Sequence, residues 1–315
     1  MKQMKPLALA AVTLAATAGI APAQDSMVFL TGSQGGTWFP MGAAMKSEIE
    51  KVVNDVSIQV RPGASLANVV AIENGLAQLA LGSSISTVDA INGVGSFEGQ
   101  EVENVCNIAK LYQFIVQAVA VDLDMETPAD FEGRAMSVNP RGNASEVTAR
   151  MVLESFGVTY DDLSKVNFAS MSDQANMMKD GQVDGFIQTT TVPAGVIMDI
   201  AASSDVKLLP IPEENVAQLT EQNAGFRPYV IPAGSYPFQD EDVPTAAFGT
   251  HIMTACDQNE EKIYQITKAL TESMPKVAVP IAALKGVGPE QMAEDIGVPL
   301  HPGAARYYRE QGLIE

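Results

Sequence analysis

The chain has 315 residues, 46% of them hydrophobic and 18% charged, an ordinary globular composition with room for two domains. Acidic side chains outnumber basic ones 38 to 19, for a net charge of −19. So negative a surface excludes nucleic acid and anionic lipid as partners, and an anionic ligand must be held by local positive potential.

Lys2 and Lys5 precede an uncharged, Ala- and Leu-rich run over residues 6–20, and Ala21, Pro22 and Ala23 form a small-x-small cleavage pattern. Together they read as a secretory signal peptide over residues 1–23, cleaved before Gln24, which places the mature chain in the periplasm. The apolar run is shorter than the ~20 residues that a spanning helix requires.

Residues 27–30 read as a strand running into a glycine-rich turn at 31–36. A helix follows with Met45, Ile49, Val52 and Val53 at helical spacing, and residues 57–60 alternate as the next strand. Ser65 is expected to cap a second helix carrying Leu66, Val69 and Val70, which Gly75 stops; residues 79–81 form a third strand. The order β-α-β-α-β predicts an α/β domain with a largely parallel sheet. The plan restarts with a strand at 135–138, a turn at 139–143 and a helix carrying Val147, Met151, Val152 and Phe156. A strand at 166–168, a helix at 172–181 and a strand at 183–187 complete the second unit.

The apolar stretch 107–121 has no helical period and fits a strand crossing between the units, and 248–256 reads as the return crossing. Helices at 260–273 and 303–310 then finish the first unit. The fold class is therefore α/β and two-lobed, a hinged clam-shell with lobe one at 24–113 plus 247–315 and lobe two at 114–246. The ligand site is expected where the strand C-termini face the cleft.

The run T-G-S-Q-G-G-T-W-F-P at 31–40 lies between a strand and a helix. Its glycines let backbone amides approach a ligand, and the helix behind carries partial positive charge at its N-terminus. Ser33, Gly35, Gly36, Thr37, Trp38 and Phe39 are therefore ligand-binding candidates, with a carboxylate expected on the amides and an aromatic ring as its apolar wall. A tight turn without a ligand is the alternative. Ser65 and Asn68 open the next helix, and Ser83 and Ser84 follow the third strand at the cleft edge. In the second unit Arg141, Asn143 and Ser145 sit on the counterpart loop, and Gln188 and Thr189 follow a strand end. Arg141 suits a bidentate carboxylate contact and equally suits a solvent-exposed position.

No catalytic residue, cofactor or metal site is expected. The only histidines are His251, in an apolar strand, and His301, before a Pro-Gly turn where it fits a helix cap. G-x-S-x-G and H-E-x-x-H patterns are absent, and there is no S-x-x-K motif of penicillin-binding type. Cys106 and Cys256 lie just outside the two crossings, each eight residues from a hinge near Phe114 and Phe248. Adjacent antiparallel crossings would set them side by side as a disulfide, with two buried thiols as the alternative.

The first loop resembles the T-G-[GS]-x-G-G-x-Y-Y-P-x-G signature of the TAXI family, solute receptors of tripartite ATP-independent periplasmic (TRAP) transporters. The G-x-S-x-x-N element at 63–68, the A-L-G-S-S segment, the loop at 142–146, K-x-G-x-x-D at 179–184 and the closing segments 236–244 and 299–308 follow in order. The resemblance implies a type II periplasmic binding-protein fold and delivery of a small carboxylate (glutamate-like, dicarboxylate or keto acid) to TRAP membrane subunits by a monomer. Trp38 and Phe39 stand where the family has two tyrosines, so no specific ligand carries over. A receptor for an ABC importer, a sensor, or an enzyme on the same scaffold are the alternatives.

Overall fold

A computed structural model describes residues 25–315 other than 33–36, 55, 101 and 142. The expected signal peptide, and Ser33, Gly35 and Gly36 of the first loop, lie outside the described residues.

The first unit runs β1 (Asp25–Leu30), α1 (Trp38–Val52), β2 (Val56–Arg61), α2 (Ser65–Glu73), β3 (Leu79–Ser83) and α3 (Ser84–Ile91). β1 pairs in parallel with β2 and with β3. α1 forms because Met41, Met45 and Ile49 recur on one face, and all three are fully buried. Gly42 lets that helix sit close on the sheet: a Cβ there would come within 2.3 Å of the Thr31 methyl. Ser65 is not the cap of α2 that the sequence suggests. Ala64 holds the cap position, and the Ser65 hydroxyl accepts the Ser83 N–H at 3.0 Å. Gly75, at φ +67°, ends the helix, a conformation that favours glycine.

β4 (Cys106–Ala120) then crosses into the second unit, built from β5 (Ala135–Val138), α4 (Ala144–Ser155), β6 (Lys165–Phe168), α5 (Met171–Lys179), β7 (Gly185–Thr190), α6 (Gly195–Ala201), β8 (Lys207–Leu209), α7 (Glu213–Gln222) and β9 (Phe226–Ile231). β10 (Val243–Thr254) returns, and α8 (Glu260–Val277), α9 (Pro289–Met292) and α10 (Pro302–Glu310) close the first unit.

Among the described residues the strands form one ten-stranded sheet ordered β2-β1-β3-β10-β4-β7-β5-β6, with β8 beside β4 and β9 beside β10. The long antiparallel pair β4 and β10 is its spine, and both strands change neighbours midway. β10 pairs with β9 over residues 243–248 and with β3 over 250–253. β4 pairs with β7 only from Ile115 onward. Phe114 lies opposite Phe248 at this changeover, and the β4–β10 register shifts just beyond it. A disulfide joins Cys106 to Cys256, with Cα atoms 5.0 Å apart, and ties the start of β4 to the chain just after β10.

Helices cover both faces of each half. α1, α8 and α10 bury Met45, Ile49, Ile266, Leu270 and Tyr308 on one face of the first half, and Val69 and Ile72 of α2 pack on the other. In the second half Val152 of α4 and Leu219 of α7 share one core, Met178 of α5 and Ile197 of α6 another. Burial of each such side chain stabilises the fold by about 1.5–3 kcal/mol relative to exposure.

Candidate functional site

The helices α1 and α2 begin where β1 and β2 end, and β3 ends beside them; α4 begins just beyond β5 on the other side of the spine. These chain reversals line one cleft of ≈ 1180 Å³. The first half contributes Thr37, Trp38, Gly63, Ala64, Ser65 and Ser83, together with the segment 280–283 and Lys285. The second half contributes Asn139, Asn143, Ser145, Met171 and residues 189–192, and Tyr112 and Phe114 of β4 join the two walls.

The expected site residues therefore divide. Thr37, Trp38, Ser65, Ser83, Asn143, Ser145 and Thr189 line this cleft together. Phe39 is half-buried outside it. Arg141 also lies outside, with its guanidinium 4.6 Å from the centroid of the Phe168 ring, a cation–π contact in place of the anticipated carboxylate contact.

Three further candidates are held by the scaffold. Asn68 is fully buried; its Nδ2 donates to the Thr31 and Leu81 carbonyls at 2.8 Å each, and its Oδ1 accepts the Ala64 N–H. Ser84, also fully buried, accepts the Gly249 N–H and donates to the Gly225 carbonyl, which fixes the β3–α3 junction to the spine. Gln188 donates to Asn139 and to Gln174 at 2.6 Å each, and braces the loop that carries Asn139 from behind. Their polar groups are met by protein partners, so they shape the cleft rather than face it.

Asn143 caps α4 by accepting the Ser145 N–H at 2.9 Å, and the Ser145 hydroxyl accepts the Thr189 N–H at 2.9 Å. The helix N-terminus is thereby pinned to β7 at the cleft wall. Opposite, Trp38 donates its indole N–H to the Tyr112 hydroxyl at 3.0 Å. That partnership occupies the indole N–H and leaves the ring face as the apolar surface. Burial, partly offset by the Trp38 hydrogen bond, pushes the Tyr112 phenol up to about 12.

The charge pattern of the cleft reverses that of the molecule. Among the described residues no Asp or Glu lines it, although acidic residues dominate the chain. Lys285, exposed at the rim, is its one cationic residue among the described residues. Neither histidine takes part. His251 is fully buried between Thr87 and Asn107, and burial lowers it to about 3. His301 accepts the Gly303 N–H on Nδ1, so its Nε2–H donates to the Gln258 carbonyl, and it caps α10. Among the described residues no His/Cys/Asp/Glu group is arranged to hold a metal ion. Sequence reasoning missed Tyr112, Phe114 and the 280–285 segment. The first two read as ordinary crossing-strand residues, and the third carries no motif.

Solved structures with similar architecture include PhnD1 from Prochlorococcus marinus in complex with methylphosphonate. It is 11% identical at a TM-score of 0.58, over 92% of this chain and 99% of that one. XAC2383 from Xanthomonas citri bound to chloride ion is 11% identical at a TM-score of 0.52, over 91% and 97%. The periplasmic aliphatic sulphonate binding protein SsuA from Escherichia coli is 12% identical at 0.47, over 90% and 83%. The fold is thus that of the type II periplasmic binding proteins, as the sequence led one to expect. The assignment to the TAXI receptors is overturned: these neighbours are not TAXI receptors, and the matching family model is a different one. The motifs that carried the TAXI resemblance are short, and none of them is decisive alone. The model of the NMT1-like family matches residues 29–312, and the chain belongs to that family.

Proposed function

We propose that this protein is an extracytoplasmic receptor that captures a small carboxylate-bearing solute and presents it to the membrane subunits of an ABC importer. The observation that carries this reading is a cleft lined from both halves of the chain and, among the described residues, clear of Asp and Glu in a protein of net charge −19. Clearing acid from one cavity lowers the electrostatic penalty on an anion there, and the N-termini of α1 and α4 add partial positive charge. With the TAXI assignment overturned, the TRAP partnership loses its basis, and the ABC importer that the sequence left as the alternative is the class we propose.

Binding without turnover is the accompanying proposal. Among the described residues Tyr112 and Lys285 are the titratable groups of the cleft lining, and the hydrogen bond of the Tyr112 hydroxyl is to Trp38, not to Lys285. We propose lobes at 24–113 plus 247–315 and at 114–246, a division that the change of strand neighbours near Phe114 and Phe248 supports. Among the described residues no helix is long and apolar enough to cross a membrane, which suits a receptor working outside one.

Mass spectrometry of small molecules released from protein purified from its own host tests the reading. A carboxylate recovered unchanged, and rebound on calorimetric titration, is the expected result. Recovery of a cation, or chemical conversion of the solute, would overturn it. Genes for ABC membrane subunits beside this one are expected, and genes for TRAP subunits in that place would reject the importer class.

A further inference from the structure

Tyr112 stands on β4 two residues before Phe114, so both side chains point to the same face of the strand. The residue is only 6% exposed, yet it lines the cleft. Its hydroxyl oxygen receives the Trp38 indole N–H at 3.0 Å. A phenol that accepts in this way still carries one proton of its own, and a buried donor requires an acceptor. Among the described residues none lies within hydrogen-bonding distance of that proton. With the phenol pushed up to about 12, the proton remains in place across the physiological range.

The rings around it form a continuous apolar surface. Tyr112 meets Phe114 edge-on at 5.3 Å, and Trp38 stacks near Phe114 at 6.5 Å with 24° between planes. Phe114 continues through Phe248 into the core, so the surface is backed by packed aromatics and keeps its shape.

We propose that Tyr112 is a ligand-binding, specificity-determining residue: its O–H donates to a carboxylate oxygen of the solute, Trp38 fixes the direction of that donor, and the solute lays an apolar body on Trp38 and Phe114. The class of ligand is then a carboxylate with a hydrocarbon or unsaturated body, and the assignment rests on the receptor reading of this cleft. The indole N–H holds one lone pair of the phenol oxygen, which limits the rotation of the hydroxyl proton and pre-aims it. Such a donor discriminates a carboxylate from the matching primary amide, because hydrogen bonds to a charged acceptor are the stronger.

Trp38 is the only tryptophan in the chain, so its emission reports directly on this site. Wild type, Tyr112→Phe and Trp38→Phe are titrated by calorimetry with pyruvate, 2-oxobutyrate, succinate, L-glutamate, benzoate, benzamide and methylphosphonate; emission is followed in the two proteins that keep Trp38. Wild type is expected to bind a carboxylate with a change in Trp38 emission. Tyr112→Phe should weaken that carboxylate about 10- to 100-fold, the range for a hydrogen bond to a charged group. It should weaken the amide much less, so that the carboxylate-to-amide ratio collapses. Trp38→Phe, which keeps the phenol, should lose less carboxylate affinity than Tyr112→Phe. Far-UV circular dichroism confirms that each variant is folded. Wild type that binds while Tyr112→Phe stays within twofold, or loses carboxylate and amide equally, overturns the role of Tyr112 and leaves the receptor reading intact. Wild type that binds none of the carboxylates overturns both.

Discussion

Replacing Asn68 with Ala separates a scaffold role from a ligand role at a residue where the sequence suggested the latter. The Asn68 side chain makes three hydrogen bonds: two from Nδ2 to the carbonyls of Thr31 and Leu81, and one accepted from the Ala64 N–H. It thereby joins the chain just after β1 and the middle of β3 to the start of α2, beside the cleft. A typical intramolecular hydrogen bond contributes about 1 kcal/mol net, so the truncation costs about 3 kcal/mol, more where the carbonyls stay buried without a donor. With a urea m-value of about 3 kcal/mol/M for a chain of this size, the unfolding midpoint should fall by about 1 M. Asn68→Asp sharpens the test, because it keeps an acceptor for Ala64 but turns an anionic oxygen toward two carbonyls. It should be at least as destabilising at neutral pH and should recover partly as the carboxylate is protonated. Gly63→Ala strikes the same junction, since a Cβ there would lie 2.1 Å from Asn68 Oδ1. Urea titrations followed by far-UV circular dichroism measure all three. An Asn68→Ala midpoint within about 0.2 M of wild type, with solute affinity lost, would refute the scaffold assignment and return Asn68 to the ligand.

The Cys106–Cys256 disulfide closes a 150-residue separation, so the double serine variant should lose about 2–5 kcal/mol, read from the denaturation midpoint in the absence of reductant. An unchanged midpoint would mean the bond does not restrain the unfolded chain. His251 is held neutral in the fold, with its pKa lowered by burial from 6.5 to about 3. The unfolded chain takes up this proton first, so the histidine's contribution is complete above about pH 6.5 and is lost as pH falls toward 3. Stability should therefore decline by up to about 1.4 kcal/mol per pH unit across that window, and His251→Gln should flatten the slope between pH 6.5 and 5, before most carboxylates titrate. Equal slopes for the two proteins would refute the assignment. Arg141 lies over Phe168 and outside the cleft lining, so Arg141→Ala should leave solute affinity within twofold by calorimetry. A tenfold loss would place its guanidinium on the ligand.

The local elements were legible in the sequence because each carries its own period. Met45 and Ile49 repeat at helical spacing, although Val52, expected on the same face, is exposed; β2 alternates, and Gly75 stops a helix at positive φ. Such signals need only neighbours within a few residues. The crossings were legible too, since 107–121 is long, apolar and without helical period, and the cysteine positions followed from where the crossings begin and end. The family was not, because the motifs that carried the resemblance are short and none is decisive alone.

Which polar residues face the solute was decided by tertiary structure alone. Asn68 and Ser65 open the same helix with similar donors. Asn68 is taken up by Thr31, 37 residues away, whereas Ser65 remains on the cleft wall. Ser84 is claimed by Gly225, 141 residues distant, while Ser83 beside it lines the cleft. Tyr112 meets Trp38 across 74 residues, and the 280–285 segment reaches the cleft only because α8 folds back on the first half. A side chain's chemistry is written in the sequence. Whether its hydrogen bonds are already met depends on chain segments that come together only when the sheet closes, and no local pattern encodes that pairing.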